Sequence, residues 1–70
     1  MLVWVVYDIS SNKVRRNAIK ACKNVGLYRV QKSVFLGEIE ENDFDELKLK
    51  MEDIIDLDSD SVYIFPMTKK

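Results

Sequence analysis

The chain is predicted to be a single α+β domain with the order β-α-β-β-α-β, and three observations carry that prediction. Residues 2–7, Leu-Val-Trp-Val-Val-Tyr, form a β-branched and aromatic run of strand length. Two later stretches space their apolar residues at the helical period. Elsewhere short apolar segments return at strand length, bounded by polar residues.

In chain order, the first strand leads to Asp8. Ser10, Ser11 and Asn12 supply helix-capping side chains, and Val14, Ala18, Cys22 and Val25 then fall on one helical face. Gly26 stands where a helix C-terminus takes a residue tolerant of positive φ. Residues 27–39 read as two short strands around a tight turn near Lys32 and Ser33, with no glycine or proline marking the turn. Asn42 is expected to cap a second helix with the apolar stripe Phe44, Leu47, Met51 and Ile54. Its first turn is acidic and Lys48 and Lys50 follow, as the helix dipole prefers. A polar loop, Asp56 to Asp60, enters a last strand from Ser61 to Phe65. There Val62 and Ile64 face one side, Tyr63 and Phe65 the other, and Pro66 is expected to end the strand. This order is the ferredoxin-like split βαβ arrangement with a four-stranded antiparallel sheet. The fold hosts many functions and assigns none by itself.

Composition narrows the classes. The 70 residues make one small domain, 1–70. A chain of this size buries only about 60% of its unfolded surface, so its own core is marginal. One cysteine excludes an intramolecular disulfide, and the absence of histidine removes the usual zinc sets. Self-association is the remaining route to more core, so a homodimer is expected. The apolar N-terminal run lacks a basic leader and a small-residue cleavage site, and it is too short to span a bilayer. The expected location is cytoplasmic, with no membrane partner and Cys22 reduced.

The net charge of −1 conceals a strong asymmetry. Residues 1–37 carry seven cations (Lys13, Arg15, Arg16, Lys20, Lys23, Arg29, Lys32) against one acid, Asp8, a balance of +6. Residues 38–60 carry eleven acids against Lys48 and Lys50, a balance of −9. One half suits a polyanion; the other stays soluble or meets a basic partner.

Within the basic half, Lys13, Arg16, Lys20 and Lys23 are spaced i, i+3, i+7, i+10, a single stripe opposite the apolar one. At about 1.5 Å per residue the stripe runs roughly 15 Å, enough to follow several phosphates. A solvated face is the plainer reading of the same spacing. Arg15 and Arg29 lie off the stripe, nearer the end of the first strand, where an arginine can fork onto a phosphate. Asp8 reads either as a turn residue accepting backbone amides or as a ligand for Mg²⁺ or Mn²⁺. As a ligand, one carboxylate is a poor cage, but a two-fold dimer can bring two copies to a shared ion, and metal-bound hydroxide is the natural nucleophile in a chain without histidine. Asp56, Asp58 and Asp60 alternate like a calcium loop but lack its glycine and closing glutamate, so they read as a solvated loop. Cys22 reads as core, and Ser10 and Ser11 as caps. Tyr7, Tyr28 and Phe35 can stack on bases, although strand aromatics are more often core.

Three segments, Val6-Tyr7-Asp8-Ile9-Ser10, Lys13-Val14-Arg15-Arg16 and Gly26 through Glu38, resemble the CRISPR-associated Cas-two family, the small subunit of the spacer-acquisition machinery. The resemblance covers essentially the whole chain. It implies a ferredoxin-like homodimer with Asp8 of each chain near the two-fold axis. It also implies one of two activities: a Mg²⁺-dependent endonuclease acting on single-stranded RNA or double-stranded DNA, or a non-catalytic scaffold that holds DNA and bridges the CRISPR integrase subunits. A toxin-like ribonuclease relative on the same fold is a third reading. Residue by residue, Tyr7, Asp8, Arg15, Arg29, Ser33 and Phe35 match positions implicated in the family's activity, with Asp8 as the metal ligand. Asn17 departs from a basic residue that some members have, with Arg16 beside it. Family members usually continue into a fifth strand that crosses to the partner's sheet, whereas this sequence stops at Met67-Thr68-Lys69-Lys70, which bears on dimer affinity and integrase docking.

Overall fold

The computed structural model describes residues 1–67. Its elements are β1 (Leu2–Asp8), α1 (Asn12–Asn24), β2 (Tyr28–Gln31), β3 (Val34–Glu38), α2 (Glu41–Ile54) and β4 (Ser61–Met67). The strands form one antiparallel sheet in the order β2-β3-β1-β4. This is the expected α+β architecture. Thr68, Lys69 and Lys70, on which the expectation about a fifth strand falls, lie outside the described residues.

Strand alternation decides which side of the sheet the helices cover. Along β1, Val3, Val5 and Tyr7 are buried, and they join Ala18, Ala21 and Cys22 of α1 and Phe44, Leu47 and Met51 of α2 in one core cluster. Trp4 and Val6 point the other way and are only half-buried. Both helices therefore lie on one face and leave the opposite face open.

Ser11 caps α1: its hydroxyl accepts from the Val14 amide at 3.3 Å. Gly26 closes the same helix with φ 104°, where a Cβ is strained. The other glycine, Gly37, is there for space, since a Cβ would come within 3.0 Å of the Leu27 side chain. The turn at Lys32 and Ser33 lies where alternation had placed it, and an irregularity between Arg29 and Gln31 shifts the β2–β3 register.

Three expectations are corrected. Asn42 lies inside α2 rather than capping it; Glu40 holds the N-cap position without a side-chain bond, and Glu41 and Asp43 complement the dipole from the first turn. Lys48 and Lys50 do not reach the last turn of α2, which contains no base, so the dipole does not account for them. Pro66 does not end β4: the strand continues to Met67, with Pro66 opposite Val3. β4 is an edge strand, where a missing N–H is tolerated if that side faces outward.

Candidate active site

The end of β1, the start of α1 and the β2–β3 turn converge on a cavity of about 380 Å³ lined by Tyr7, Asp8, Ile9, Arg15, Arg29, Lys32 and Ser33. Five of the six residues proposed for activity are in this wall. The sixth, Phe35, is beneath it and has no exposed surface. Its ring carries the Tyr7 ring, centroids 6.3 Å apart, and the Arg29 guanidinium 5.9 Å from its own centroid. Phe35 is thus a floor, and of the three aromatics considered for base stacking only Tyr28 presents its ring to solvent.

Tyr7 is a structural hub. Its hydroxyl donates to the Lys32 carbonyl at 3.0 Å and accepts from Arg29 Nη2 at 3.4 Å, while its amide donates to the Ser33 carbonyl at 3.1 Å. These bonds fix the turn against the end of β1 and leave most donors of Arg29, which lines the cavity, without a protein partner among the described residues.

Arg15 is placed differently from the expected phosphate fork. Its Nε and Nη2 donate to the Ile9 carbonyl at 3.3 and 3.0 Å, Nη2 also reaches the Ser10 carbonyl at 3.4 Å, and Nη1 donates to Asn12 Oδ1 at 2.7 Å. A guanidinium has five N–H donors, and most of these hold the loop that follows Asp8.

Asp8 is exposed at the last position of β1, opposite Ser61 of β4. Among the described residues no donor lies within hydrogen-bond distance of its carboxylate, so the turn-residue reading is not what the structure shows. Among the same residues no group of three or more acids and cysteines is placed to hold a metal. One chain therefore supplies a single free carboxylate, which suits only an ion that keeps water and takes its other oxygens from a phosphate or a second copy.

The stripe on α1 is exposed as expected, with Lys13, Arg16, Lys20 and Lys23 all at the surface. Arg16, Lys20 and Lys23 border one shallow groove with Asn17 and Ile19; Asn17 and Lys20 also border a second, shared with Asn24 and with Lys50 of α2. The one ion pair among the described residues joins the Met1 amine to Glu38 at 3.8 Å. The cations of α1 are thus not neutralised by the acids of α2.

Sequence reasoning missed three residues here. Lys32 was only counted as charge, and its place in the turn puts it in the cavity wall. Lys50 was assigned to the helix dipole. Asp60 was read as solvated, yet it accepts from the Ser10 amide and hydroxyl at 3.2 and 3.3 Å, fifty residues away in the chain. The Asp56 amide above all, then the Ser10 and Ser59 donors, hold its carboxyl below the usual range. No local signal announced that contact. Cys22 is core as expected, and burial pushes its thiol up to about 12, so it stays protonated.

The domain belongs to the ferredoxin-like class, with a free strand-end aspartate in one wall with Arg15, Arg29 and Lys32 and an unpaired basic helix beside it. The model of the family described as CRISPR associated protein Cas2 matches residues 1–70, and the chain belongs to that family. A relative from Desulforudis audaxviator named "CRISPR-associated endoribonuclease Cas2" is 40% identical over the whole chain, which covers 66% of that relative. A relative from Archaeoglobus fulgidus named "CRISPR-associated endoribonuclease Cas2 1" is 37% identical over the whole chain, with 74% of its length covered. The chain thus spans about two thirds to three quarters of these curated relatives. Among solved structures, Streptococcus pyogenes Cas2 superposes with a TM-score of 0.86 at 32% identity, covering 97% of this chain and 87% of that one. A hypothetical protein from Thermus thermophilus gives 0.86 at 31%, covering 97% and 82%. Among the described residues no helix is long and apolar enough to cross a membrane.

Proposed function

We propose that the protein works in CRISPR adaptation as a homodimeric, divalent-metal-dependent endonuclease whose site is formed by paired copies of Asp8. The observation that carries this reading is the Asp8 carboxylate itself, free of protein donors in a wall whose other charged groups, Arg15, Arg29 and Lys32, are all cations. The relatives' designation as endoribonucleases supports the reaction class.

The open sheet face supports the dimer. Leu2, Tyr28, Tyr63, Phe65 and Met67 are exposed there, flanked by half-buried Trp4 and Val6, an apolar surface of the kind that self-association covers. Asp8 shares the side of Trp4 and Val6 by strand alternation, so pairing these faces draws two Asp8 carboxylates toward one axis.

A bound Mg²⁺ or Mn²⁺ would supply a Lewis acid and a water of lowered pKa. The chain's own groups do the rest. Arg29 and Lys32 attract and orient the phosphate, Tyr7 and Phe35 hold Arg29 in place, and Arg15 fixes the loop behind Asp8. Ser33 borders the same wall from the turn.

The test is Asp8→Asn, which keeps shape and removes charge. Cleavage of single-stranded RNA and duplex DNA in Mg²⁺ should fall by at least about a hundredfold, with unfolding unchanged to within about 0.5 kcal/mol. Undiminished cleavage by the variant, or by the wild type in excess chelator, overturns the reading. The unneutralised α1 stripe favours a second reading, a non-catalytic scaffold that holds DNA between integrase subunits. In that case Asp8→Asn still supports spacer acquisition in cells while charge reversal at the stripe residues Arg16 and Lys20 abolishes it; Arg15 holds the loop behind Asp8 and is left unchanged in this test.

A further inference from the structure

We infer that Asp60 is a positioning residue for Asp8, one half of a two-sided clamp on the loop between β1 and α1. This rests on the reading of Asp8 as the ion-binding carboxylate and adds a residue from the opposite end of the chain to that site.

The β1–α1 loop, residues 9–11, has few ways to be held. Its carbonyls at Ile9 and Ser10 accept from the Arg15 guanidinium, which grips the loop from the helix side. Its amide and hydroxyl at Ser10 donate to Asp60 Oδ1, which grips it from the β4 side. Each charged group satisfies backbone groups of opposite polarity on the loop, and the two do not pair with each other. Charge-assisted bonds of this kind are the stronger ones.

Asp60 is itself held for the task. Its Oδ2 accepts from the Asp56 amide at 3.0 Å, its Oδ1 from the Ser59 hydroxyl at 3.4 Å, and its own amide donates to the Asp56 carbonyl at 2.8 Å. The Asp58 amide closes the turn on Asp56 Oδ1 at 3.0 Å. The next residue, Ser61, begins β4 directly opposite Asp8 in the sheet. The loop turn, the start of β4 and the end of β1 are therefore one connected unit, with the Asp8 carboxylate at its mouth. Asp60 is not proposed to touch substrate or ion.

The experiment compares wild type, Asp60→Ala, Asp60→Asn and Ser10→Ala by amide hydrogen exchange and by Mn²⁺ broadening of the Asp8 amide resonance. In Asp60→Ala, exchange at the Ser10 amide should rise about tenfold while β1–β3 ladder amides are unchanged. The Mn²⁺ concentration for half-broadening should rise several-fold, less than the roughly 10–100-fold lost with a direct partner of a metal ligand, because Asp60 acts through the loop. Ser10→Ala, which removes the hydroxyl bond and keeps the amide bond, and Asp60→Asn, which keeps an acceptor without charge, should both fall between wild type and Asp60→Ala. Unchanged loop exchange in Asp60→Ala overturns the inference, as does a loosened loop with an unchanged Mn²⁺ response. If Mn²⁺ leaves the wild type itself untouched, the metal reading fails, and loop exchange alone then decides whether the clamp exists.

Discussion

The two helices lie on the same face of the same sheet and have opposite duties. On its buried side α1 offers Ala18, Ala21 and Cys22, while α2 offers Phe44, Leu47 and Met51. On its exposed side α1 carries cations and no acid, while α2 is dominated by acids. The fully buried residues of α1 are small and are supplemented by partly buried Val14 and Ile19, whereas the large buried residues of α2 contribute more apolar area to the core. The difference separates stability from function in a domain too small to spare residues for both. α2 holds the fold, and α1 is free to present charge that folding does not require.

The sharpest test of that division is Leu47→Ala. Leu47 is almost fully buried, and its truncation should cost about 2–5 kcal/mol. A domain of this length holds only roughly 3.5–10 kcal/mol in total, so a large share of the variant should be unfolded. Thermal unfolding by circular dichroism reads this directly. On α1 the corresponding change, Ala21→Gly, should cost only about 1 kcal/mol. Equal losses at the two positions break the comparison.

The converse test is charge. Reversing Arg16 and Lys20 to glutamate on α1 should lower duplex DNA affinity at low salt by about a hundredfold, measured in chelator so that cleavage does not intervene. The fold should be affected by less than about 0.5 kcal/mol per site, since both side chains are exposed. Neutralising Glu46 and Glu52 on α2 should leave affinity within roughly threefold. If the acidic helix matters as much as the basic one, the polyanion does not follow α1.

How much of this was legible follows the range of the interactions. The strands, both helices and the turn at Lys32–Ser33 were readable, because alternation and helical spacing are local and set by burial on one face. The Asn42 cap was misread because an acidic first turn can start a helix without a side-chain cap, and the sequence does not show which device is used. Pro66 was misread because its tolerance in a strand depends on that strand being at an edge, a property of the whole sheet. At the site, charge and position pointed to Asp8, Arg15 and Arg29 near the end of the first strand and the family resemblance added Tyr7, but the loop contacts made by Arg15 and Asp60 could not be read. Their partners are backbone groups of one loop, and backbone groups have no identity in a sequence. For Asp60 the partner is also fifty positions distant.

The smallest predicted effect lies where the two helices meet. Lys50 belongs by sequence to the acidic helix, yet it shares a groove of about 220 Å³ with Asn17, Lys20, Ala21, Asn24 and Ile54. No carboxylate lies within ion-pair distance of it among the described residues, and two lysines bordering one groove repel unless an anion sits between them. If a phosphate strand crosses from α1 into that groove, Lys50→Ala should weaken duplex binding only a few-fold. It should also lower the slope of log affinity against log salt by about 0.9, the loss of one phosphate contact. Lys48→Ala is the matched control, because Lys48 stands over the Phe44 ring at 5.0 Å, in a groove that faces β4 rather than α1. Its slope should not change. A shift in both variants would mean that the salt dependence follows total charge, whereas a shift in Lys50 alone places the polyanion across the seam and makes α2 a minor participant in the surface that α1 dominates.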